Sequence, residues 1–131
     1  MIKFFFKYKI IFYCINFSLF ILYLYPGSLI GQIFYGSKEI QPQITPDFII
    51  SSNHFYIFFL VSLIGFFTFI KEVQIKKLII YLISIAIILE SLHLIIPERT
   101  FQWPDLFGNL IGVIVVILIK NLINKYGVFK K

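Results

Sequence analysis

The chain has 131 residues and a formal net charge of +6, with 60% hydrophobic and only 14% charged residues. An ordinary soluble domain is about one-quarter charged, and a domain of this size buries only about 60–70% of the surface of its unfolded chain. These values argue against a water-soluble fold and favour lipid as the solvent for most of a single domain. The basic residues flank apolar runs and form no continuous stripe, so we expect no nucleic-acid partner.

Four apolar runs are long enough to cross a hydrocarbon core of about 30 Å as helices, which takes roughly 20 residues. In chain order they span about residues 9–25, 48–70, 78–96 and 106–123. The runs are unbroken and lack the alternating pattern of a membrane β-barrel. The sequence therefore predicts an all-α membrane protein, a four-transmembrane-helix bundle that forms a single domain over residues 1–131.

Lysines cluster on one side of the predicted bundle. Ten lie at the N-terminus, in the connection at 71–77 and near the C-terminus: Lys3, Lys7, Lys9, Lys71, Lys76, Lys77, Lys120, Lys125, Lys130 and Lys131. The connections at 26–47 and 97–105 hold only Lys38 and Arg99. Because basic loops stay in the cytoplasm, both termini are predicted to be cytoplasmic. The first run is expected to be a span and not a cleaved signal peptide, since it is long and no small-residue cleavage site follows it.

Polar side chains interrupt the apolar runs near the ends that are predicted to lie on the non-cytoplasmic side of the membrane. Glu90 and His93 are three residues apart on one helix face, and His54 lies about six residues into the second run. Asp105 and Asn109 share a face at the start of the fourth run. An ionisable side chain inside a bilayer costs at least about 2.5 kcal/mol and normally faces the bundle interior with a partner. We therefore expect these five residues to converge.

The connection before the fourth run carries Glu98 and Arg99. We expect Arg99 to pair with Glu98 or Asp105, and Glu90 to pair with one of the two histidines. A ligand-binding pocket that opens outward is predicted between the second, third and fourth helices, lined by His54, Glu90, His93, Arg99, Asp105 and Asn109. The alternative is a polar cluster that only fixes the register of the helices.

Two further features of the sequence concern the packing of the fourth helix and the aromatic residues at the membrane interface. Gly108 and Gly112 are four residues apart and should let a neighbouring helix approach the fourth helix closely. Phe101, Trp103 and the tyrosines near the helix ends are expected to be anchors at the membrane interface.

One stretch of this chain resembles the signature of the VanZ-like family. It reads Glu90-x-x-His93-x-x-x-Pro97-x-Arg99-Thr100-Phe101-x-x-x-Asp105-x-x-x-Asn109-x-x-Gly112. His54 resembles the histidine of the family's Asp-Lys-x-x-His element, although Ile50 and Ser51 replace the Asp-Lys pair and Asp47 lies one turn earlier. Glu98 stands where the family usually has glycine, and His93 where glutamine is common.

The resemblance covers about residues 48–118 and implies several properties. VanZ-like proteins are small bacterial membrane proteins named after a teicoplanin-resistance accessory protein. The resemblance therefore implies a four-helix transmembrane bundle in the bacterial cytoplasmic (inner) membrane and a link to the cell envelope and antibiotic resistance. The family has no settled biochemical activity, so the resemblance implies a fold more than a reaction.

Functions of two classes stay open. The first is a non-enzymatic envelope protein whose pocket binds a polar or anionic ligand, such as a lipid head group or a glycopeptide, with Arg99 meeting the anion. The second is an intramembrane enzyme that uses its histidines and Glu90 for acid–base or zinc chemistry on a lipid-linked substrate. A purely structural assembly factor is a further alternative. Because no established zinc, nucleotide or Ser-His-Asp motif occurs, we favour binding, with membrane lipids as partners, and expect no metal or other cofactor.

Overall fold

The computed structural model describes residues 2–126, with side chains from Lys9 onward, and every regular element in that part of the chain is an α-helix. The helices are α1 (Ile2–Leu24), α2 (Leu29–Tyr35), α3 (Ser52–Thr68), α4 (Glu72–Leu92) and α5 (Trp103–Tyr126). The prediction of an all-α fold is confirmed. The side chains of Lys3, Lys7, Lys130 and Lys131, which contribute to the predicted orientation, lie outside the described residues.

The most extensive helix contact in the bundle is between α3 and α5, and glycines make this contact possible. A Cβ atom added to Gly108 would lie 2.7 Å from the carbonyl oxygen of Ser51, and one added to Gly112 would lie 2.7 Å from that of Phe55. Any larger residue would push the two backbones apart. The resulting apolar core is completed by α1 and α4 and includes Phe12, Leu19, Phe58, Leu82, Leu89 and Val113.

The start of α4 lies earlier than the predicted residue 78. The preceding residues are strong helix formers, and they include Glu72, whose Oε1 lies 3.1 Å from the Lys76 Nζ one turn later. Both side chains are largely exposed, so the pair adds only a few tenths of a kcal/mol. Hydropathy misplaced the boundary because it responds to apolar residues, whereas a helix can continue through charged ones.

The end of α4 also comes before the predicted residue 96. The N–H of His93 donates to the carbonyl of Glu90 and that of Leu94 to Ser91, so the chain tightens into 3₁₀-type turns ahead of Pro97. Glu90 thus lies in the last turn of α4, and His93 is the residue that caps it. Because the helix was predicted to continue to residue 96, both residues lie about one turn closer to its end than predicted.

The connection between α1 and α3 contains a short helix that hydropathy did not reveal. Gly27 adopts a positive φ of 74°, which lets the chain turn sharply after α1. Ser28 then caps α2, because its Oγ accepts a hydrogen bond from the N–H of Gly31 at 2.9 Å. The two helices are bent by 85° at this break, so α2 lies across the end of the bundle.

The second predicted run, 48–70, is helical only from Ser52 to Thr68. Asp47 accepts a hydrogen bond from the N–H of Ser52 at 2.8 Å, which satisfies one of the free donors at the start of α3. Ser51 is extended, and its N–H donates to the carbonyl of Pro104 at 3.1 Å. This bond ties the beginning of α3 to the beginning of α5.

Within residues 9–126, α5 is the one helix that by length and apolar composition could cross a membrane unaided. The bent pair formed by residues 9–24 and α2 would count as a second span. The apolar helix α3 has 17 residues, and α4 carries charged residues near both ends. Length and composition therefore support one or two spans, and four crossings are a proposal.

Candidate functional site

Polar side chains converge at one end of the bundle, where α1 and α4 end and α3 and α5 begin. All six residues predicted for the site lie there, and we call them the polar cluster: His54, Glu90, His93, Arg99, Asp105 and Asn109. Of these, Glu90 and Asn109 have no solvent exposure. The histidines are also buried, whereas Arg99 and Asp105 are partly exposed.

Glu90 lies at the centre of the polar cluster and is held on one side only. Its Oε1 accepts a hydrogen bond from the backbone N–H of Gln102 at 3.0 Å. Its Oε2 lies 3.3 Å from His93 Nδ1 and 3.8 Å from His54 Nε2. These contacts lack hydrogen-bond geometry, and no described residue donates to this buried oxygen. One carboxylate oxygen is therefore fixed, while the other is unpaired between two imidazoles.

The position of the proton on His93 follows from its surroundings. His93 Nε2 lies 3.1 Å from the carbonyl oxygen of Tyr23, and because a carbonyl only accepts, Nε2 must carry the hydrogen. In the neutral imidazole, Nδ1 then presents a lone pair, and Nδ1 is the atom nearest to Glu90 Oε2. The ring is stacked on that of Tyr23 at a centroid distance of 5.7 Å, which fixes its orientation.

His54 and Asp105 form the other side of the cluster. The Nδ1 atom of His54 lies 2.8 Å from Ser51 Oγ and 3.5 Å from Asp105 Oδ1. The close packing of α3 on Gly108 brings these residues together, since the Cβ of His54 is among the atoms nearest to that glycine. Taken together, one ring nitrogen of His54 and one carboxylate oxygen each from Glu90 and Asp105 lie within 4.8 Å of one another.

Tyr23 belongs to the site although its sequence position predicted an interface anchor. The side chain is 3% exposed, and its hydroxyl donates to Asn109 Oδ1 at 2.6 Å. The amide of Asn109 in turn donates to the carbonyl of Ala86 at 3.3 Å. One asparagine thus links α1, α4 and α5. The only hint in the sequence was Asn109 itself, since an amide in an apolar run needs hydrogen-bond partners.

Arg99 does not form the predicted ion pair with Glu98 or Asp105, because no described carboxylate lies within 4.0 Å of its guanidinium. Its Nε donates to the carbonyl of Tyr25 at 3.2 Å, and its Nη2 donates to that of Leu22 at 2.8 Å. The last carbonyls of a helix lack partners within the helix and carry partial negative charge, so they attract a cation. Burial lowers the pKa of Arg99, but a guanidinium keeps its proton at any ordinary pH.

Two small cavities lie beside Arg99. One has a volume of about 60 Å³ and reaches the side chains of His54 and His93. The other has a volume of about 120 Å³, and most of its lining is polar: Gly27, Ser28, Lys38, Glu39, Gln41, His93, Glu98, Arg99, Thr100, Gln102 and Asp105. Residues 27–42 thus form part of the wall, together with the end of α1. The prediction that three helices alone form the pocket is incomplete.

Within the part of the chain that the structure describes, the polar cluster combines a carboxylate oxygen without a hydrogen-bond donor, two imidazoles and a guanidinium without a carboxylate partner. Such a set can attract an anion at Arg99, hold a cation near Glu90 or transfer protons. Comparisons with protein-family models, with curated proteins and with solved structures find no match for this chain.

Proposed function

We propose that this chain is a VanZ-like integral membrane protein of the bacterial cell envelope. In this proposal it crosses the cytoplasmic membrane four times, with both termini in the cytoplasm, and binds a polar or anionic ligand at its outer end. The observation that carries the ligand proposal is Arg99, a partly buried guanidinium that lines two cavities and has no described carboxylate partner.

The distribution of exposed apolar side chains supports a lipid environment. Each long helix presents large apolar residues outward, for example Phe17 on α1, Phe67 on α3, Ile80 on α4 and Leu118 on α5, all more than half exposed. Soluble monomers rarely expose continuous apolar patches of more than a few hundred Å². Lipid tails would cover these faces without the cost that water imposes.

The charges support the proposed orientation. Five of the six acidic residues lie at the end of the bundle that contains the polar cluster: Glu39, Asp47, Glu90, Glu98 and Asp105. Apart from Lys38 and Arg99, the described basic residues lie toward the opposite end, at Lys9, Lys71, Lys76, Lys77, Lys120 and Lys125. A membrane protein with this asymmetry keeps its basic end in the cytoplasm.

The helices α3 and α4 do not qualify as membrane spans by themselves, but both are compatible with crossing the membrane as members of a bundle. The 17 residues of α3 correspond to the lower limit of spanning lengths, about 17–25 residues. In α4, the stretch from Leu78 to Leu89 is uncharged, and Lys76 and Lys77 can extend their ammonium groups toward the head groups. Glu90, the charged residue near its other end, is shielded from lipid by the polar cluster.

Cysteine labelling tests the orientation. We expect Glu39→Cys, made in a Cys14→Ser background, to react with a membrane-impermeant thiol reagent in spheroplasts, because residue 39 is exposed at the outer end. Glu72→Cys should react only after permeabilisation, since residue 72 is exposed at the opposite end. Equal labelling of both variants before permeabilisation, or the reverse pattern, would contradict four crossings with cytoplasmic termini.

The geometry of Arg99 suits an anion that approaches from the outer face. A guanidinium has five N–H donors, and Arg99 uses two of them on the carbonyls of Leu22 and Tyr25. The remaining donors have no described acceptor, and a phosphate or carboxylate would satisfy them with strong charge-assisted bonds. Because α1 holds the side chain in place, little conformational entropy would be lost on binding.

The size of the cavities limits the ligand. A volume of about 120 Å³ is well below the roughly 300–1,000 Å³ of pockets that enclose drug-sized molecules. A phosphate-bearing head group fits this volume, whereas only a small part of a glycopeptide would enter. We therefore propose an anionic lipid head group as the ligand, with the acyl chains remaining in the bilayer.

Lipid binding to the purified protein tests this proposal. We expect short-chain phosphatidylglycerol to bind in detergent, with native mass spectrometry as the measurement, and phosphatidylcholine to bind more weakly. Arg99→Gln should weaken phosphatidylglycerol binding by about 10-fold to 100-fold, the equivalent of about 1.5–3 kcal/mol for a hydrogen bond to a charged group. Arg99→Lys should retain part of the affinity, because it keeps the charge but loses the fixed donor geometry.

Lys38→Gln is the matched control, since Lys38 lines the same cavity but is exposed to solvent. We expect its effect on binding to be less than about 3-fold, because screened surface charges contribute about 0–1 kcal/mol. Equal losses in Lys38→Gln and Arg99→Gln would indicate a diffuse electrostatic effect and contradict a specific site. Binding of teicoplanin that is independent of Arg99 would likewise contradict the assignment of the anion to this residue.

A second candidate function is an intramembrane enzyme, and the unpaired oxygen of Glu90 beside two imidazoles favours it. A carboxylate in such a position could remove a proton from a lipid-linked substrate. Glu90→Gln separates the two functions, because it eliminates the base and leaves Arg99 unchanged. A cellular phenotype that survives Glu90→Gln but not Arg99→Gln would support binding, and the opposite result would support catalysis.

A further inference from the structure

We infer that His54, Glu90 and Asp105 bind a divalent transition-metal ion of the Zn²⁺ class in the polar cluster. One donor atom from each residue lies within 4.8 Å of the other two. Zinc binds imidazole nitrogen and carboxylate oxygen at about 2.0–2.2 Å, so ligand atoms in a tetrahedral site lie about 3.4 Å apart. The separation of 3.8 Å between His54 Nε2 and Glu90 Oε2 is close to this value, while Asp105 Oδ1 lies 3.5 Å from the other ring nitrogen, Nδ1.

The electrostatics around Glu90 Oε2 supply an independent reason for a cation. This oxygen is buried and has no hydrogen-bond partner among the described residues. Its nearest neighbour, His93 Nδ1 at 3.3 Å, presents a lone pair when the ring is neutral, because Nε2 carries the hydrogen that contacts the carbonyl of Tyr23. A carboxylate and a lone pair repel each other, and a positive ion in the cluster would remove this repulsion.

A shared proton is the competing way to remove that repulsion. It would require the proton to lie between Glu90 Oε2 and His93 Nδ1, but this 3.3 Å contact does not have the geometry of a hydrogen bond. A metal ion need not lie between these two atoms. It could also be coordinated by the donor atoms of His54 and Asp105, whereas a single proton cannot bind all of them. The geometry therefore favours an ion with several ligands.

Residues around the proposed ligands fix their orientation. The hydrogen-bond partners of metal ligands have this role in other metal sites. The backbone N–H of Gln102 holds Oε1 of Glu90, which directs Oε2 toward the imidazoles. Ser51 Oγ contacts Nδ1 of His54 and fixes its ring. Such outer contacts set the direction of ligand lone pairs and raise metal affinity. With three protein ligands, one coordination position of a tetrahedral site would stay open to water or another ligand.

The metal site goes beyond the anion site at Arg99 and does not depend on it. Direct metal binding tests it with the full chain purified in detergent, stripped with a chelator and then equilibrated with Zn²⁺. We expect about one Zn²⁺ per chain by elemental mass spectrometry. Glu90→Gln and Asp105→Asn should each raise the Kd by about 100-fold or more, because even outer-shell changes cost 10–100-fold.

Glu98→Gln is the matched control, since Glu98 lines the same cavity but lies outside the proposed ligand set. Its Kd should change by less than about 3-fold, as expected for an exposed carboxylate. Visible absorption of the wild-type protein loaded with Co²⁺ gives a second measurement that needs no variant. An intense tetrahedral spectrum supports the site even if a variant fails to fold.

Three results would overturn the metal site. The first is wild-type protein that retains no Zn²⁺ and shows only the spectrum of hydrated Co²⁺. The second is equal loss of affinity in Glu98→Gln and Glu90→Gln, which would indicate nonspecific binding to acidic residues. The third is Zn²⁺ binding that survives both Glu90→Gln and Asp105→Asn. Failure of phosphatidylglycerol binding with normal Zn²⁺ binding would contradict only the anion site.

Discussion

Replacing Gly112 by leucine should lower the free energy of unfolding in detergent by about 3 kcal/mol or more, at the upper end of overpacking effects. Even a Cβ atom at this position would lie 2.7 Å from the carbonyl oxygen of Phe55 and 2.9 Å from the backbone nitrogen of Phe59. These are backbone atoms of α3, so no side-chain rotation relieves the clash. The helices must move apart along their whole contact.

Gly112→Ala gives the sharper comparison because helix propensity predicts a gain in stability and packing predicts a loss. Alanine is favoured over glycine inside a helix by about 1 kcal/mol, so propensity alone predicts a gain in stability. The short distances to α3 predict a loss of about 1–3 kcal/mol. Ile114→Leu, on the outward face of α5, is the control and should change stability by less than about 1.5 kcal/mol. A stabilised Gly112→Ala variant would contradict the close approach of α3 and α5.

The long helices could be predicted because their apolar runs are much longer than those of soluble helices. Their boundaries were harder to predict, since charged helix formers such as Glu72 and Lys76 extend α4 without any hydropathy signal. The short helix α2 was missed for a different reason. It spans two turns between Gly27 and Gly36, and two turns are too few for periodicity to be seen.

The members of the polar cluster could be predicted because buried polar side chains need partners, and few candidates existed in so apolar a chain. The individual contacts of these residues could not be predicted from the sequence. Arg99 binds carbonyls of α1, and backbone carbonyls carry no side-chain signature in a sequence. Tyr23 resembled any other tyrosine near a helix end, and only the three-dimensional packing shows that its hydroxyl reaches Asn109. The close approach of His54 to Asp105 likewise depends on how α3 packs against Gly108.

Replacing Glu90 by leucine should destabilise the protein by about 2–4 kcal/mol, whereas Glu90→Gln should cost less than about 1 kcal/mol. Leucine leaves the buried N–H of Gln102 without its acceptor, and an unsatisfied buried group costs about 1–3 kcal/mol. It also changes the shape of a side chain that has no solvent exposure, and shape changes in a packed core cost about 1–3 kcal/mol. Unfolding by denaturant in micelles, with a chelator present, measures both variants without a contribution from bound metal.

Glutamine should preserve the fold because its amide keeps the one hydrogen bond of Glu90 and removes the repulsion at His93. The side-chain oxygen can still accept from the N–H of Gln102, and the NH₂ group presents hydrogens, in place of a carboxylate oxygen, toward the lone pair on His93 Nδ1. Equal stability of Glu90→Leu and the wild type would contradict the buried polar role of this residue. Glu90→Gln should therefore keep wild-type stability under chelator while losing affinity for Zn²⁺. That combination distinguishes a metal ligand from a residue that only fixes helix register, because a purely structural glutamate would show neither metal binding nor its loss.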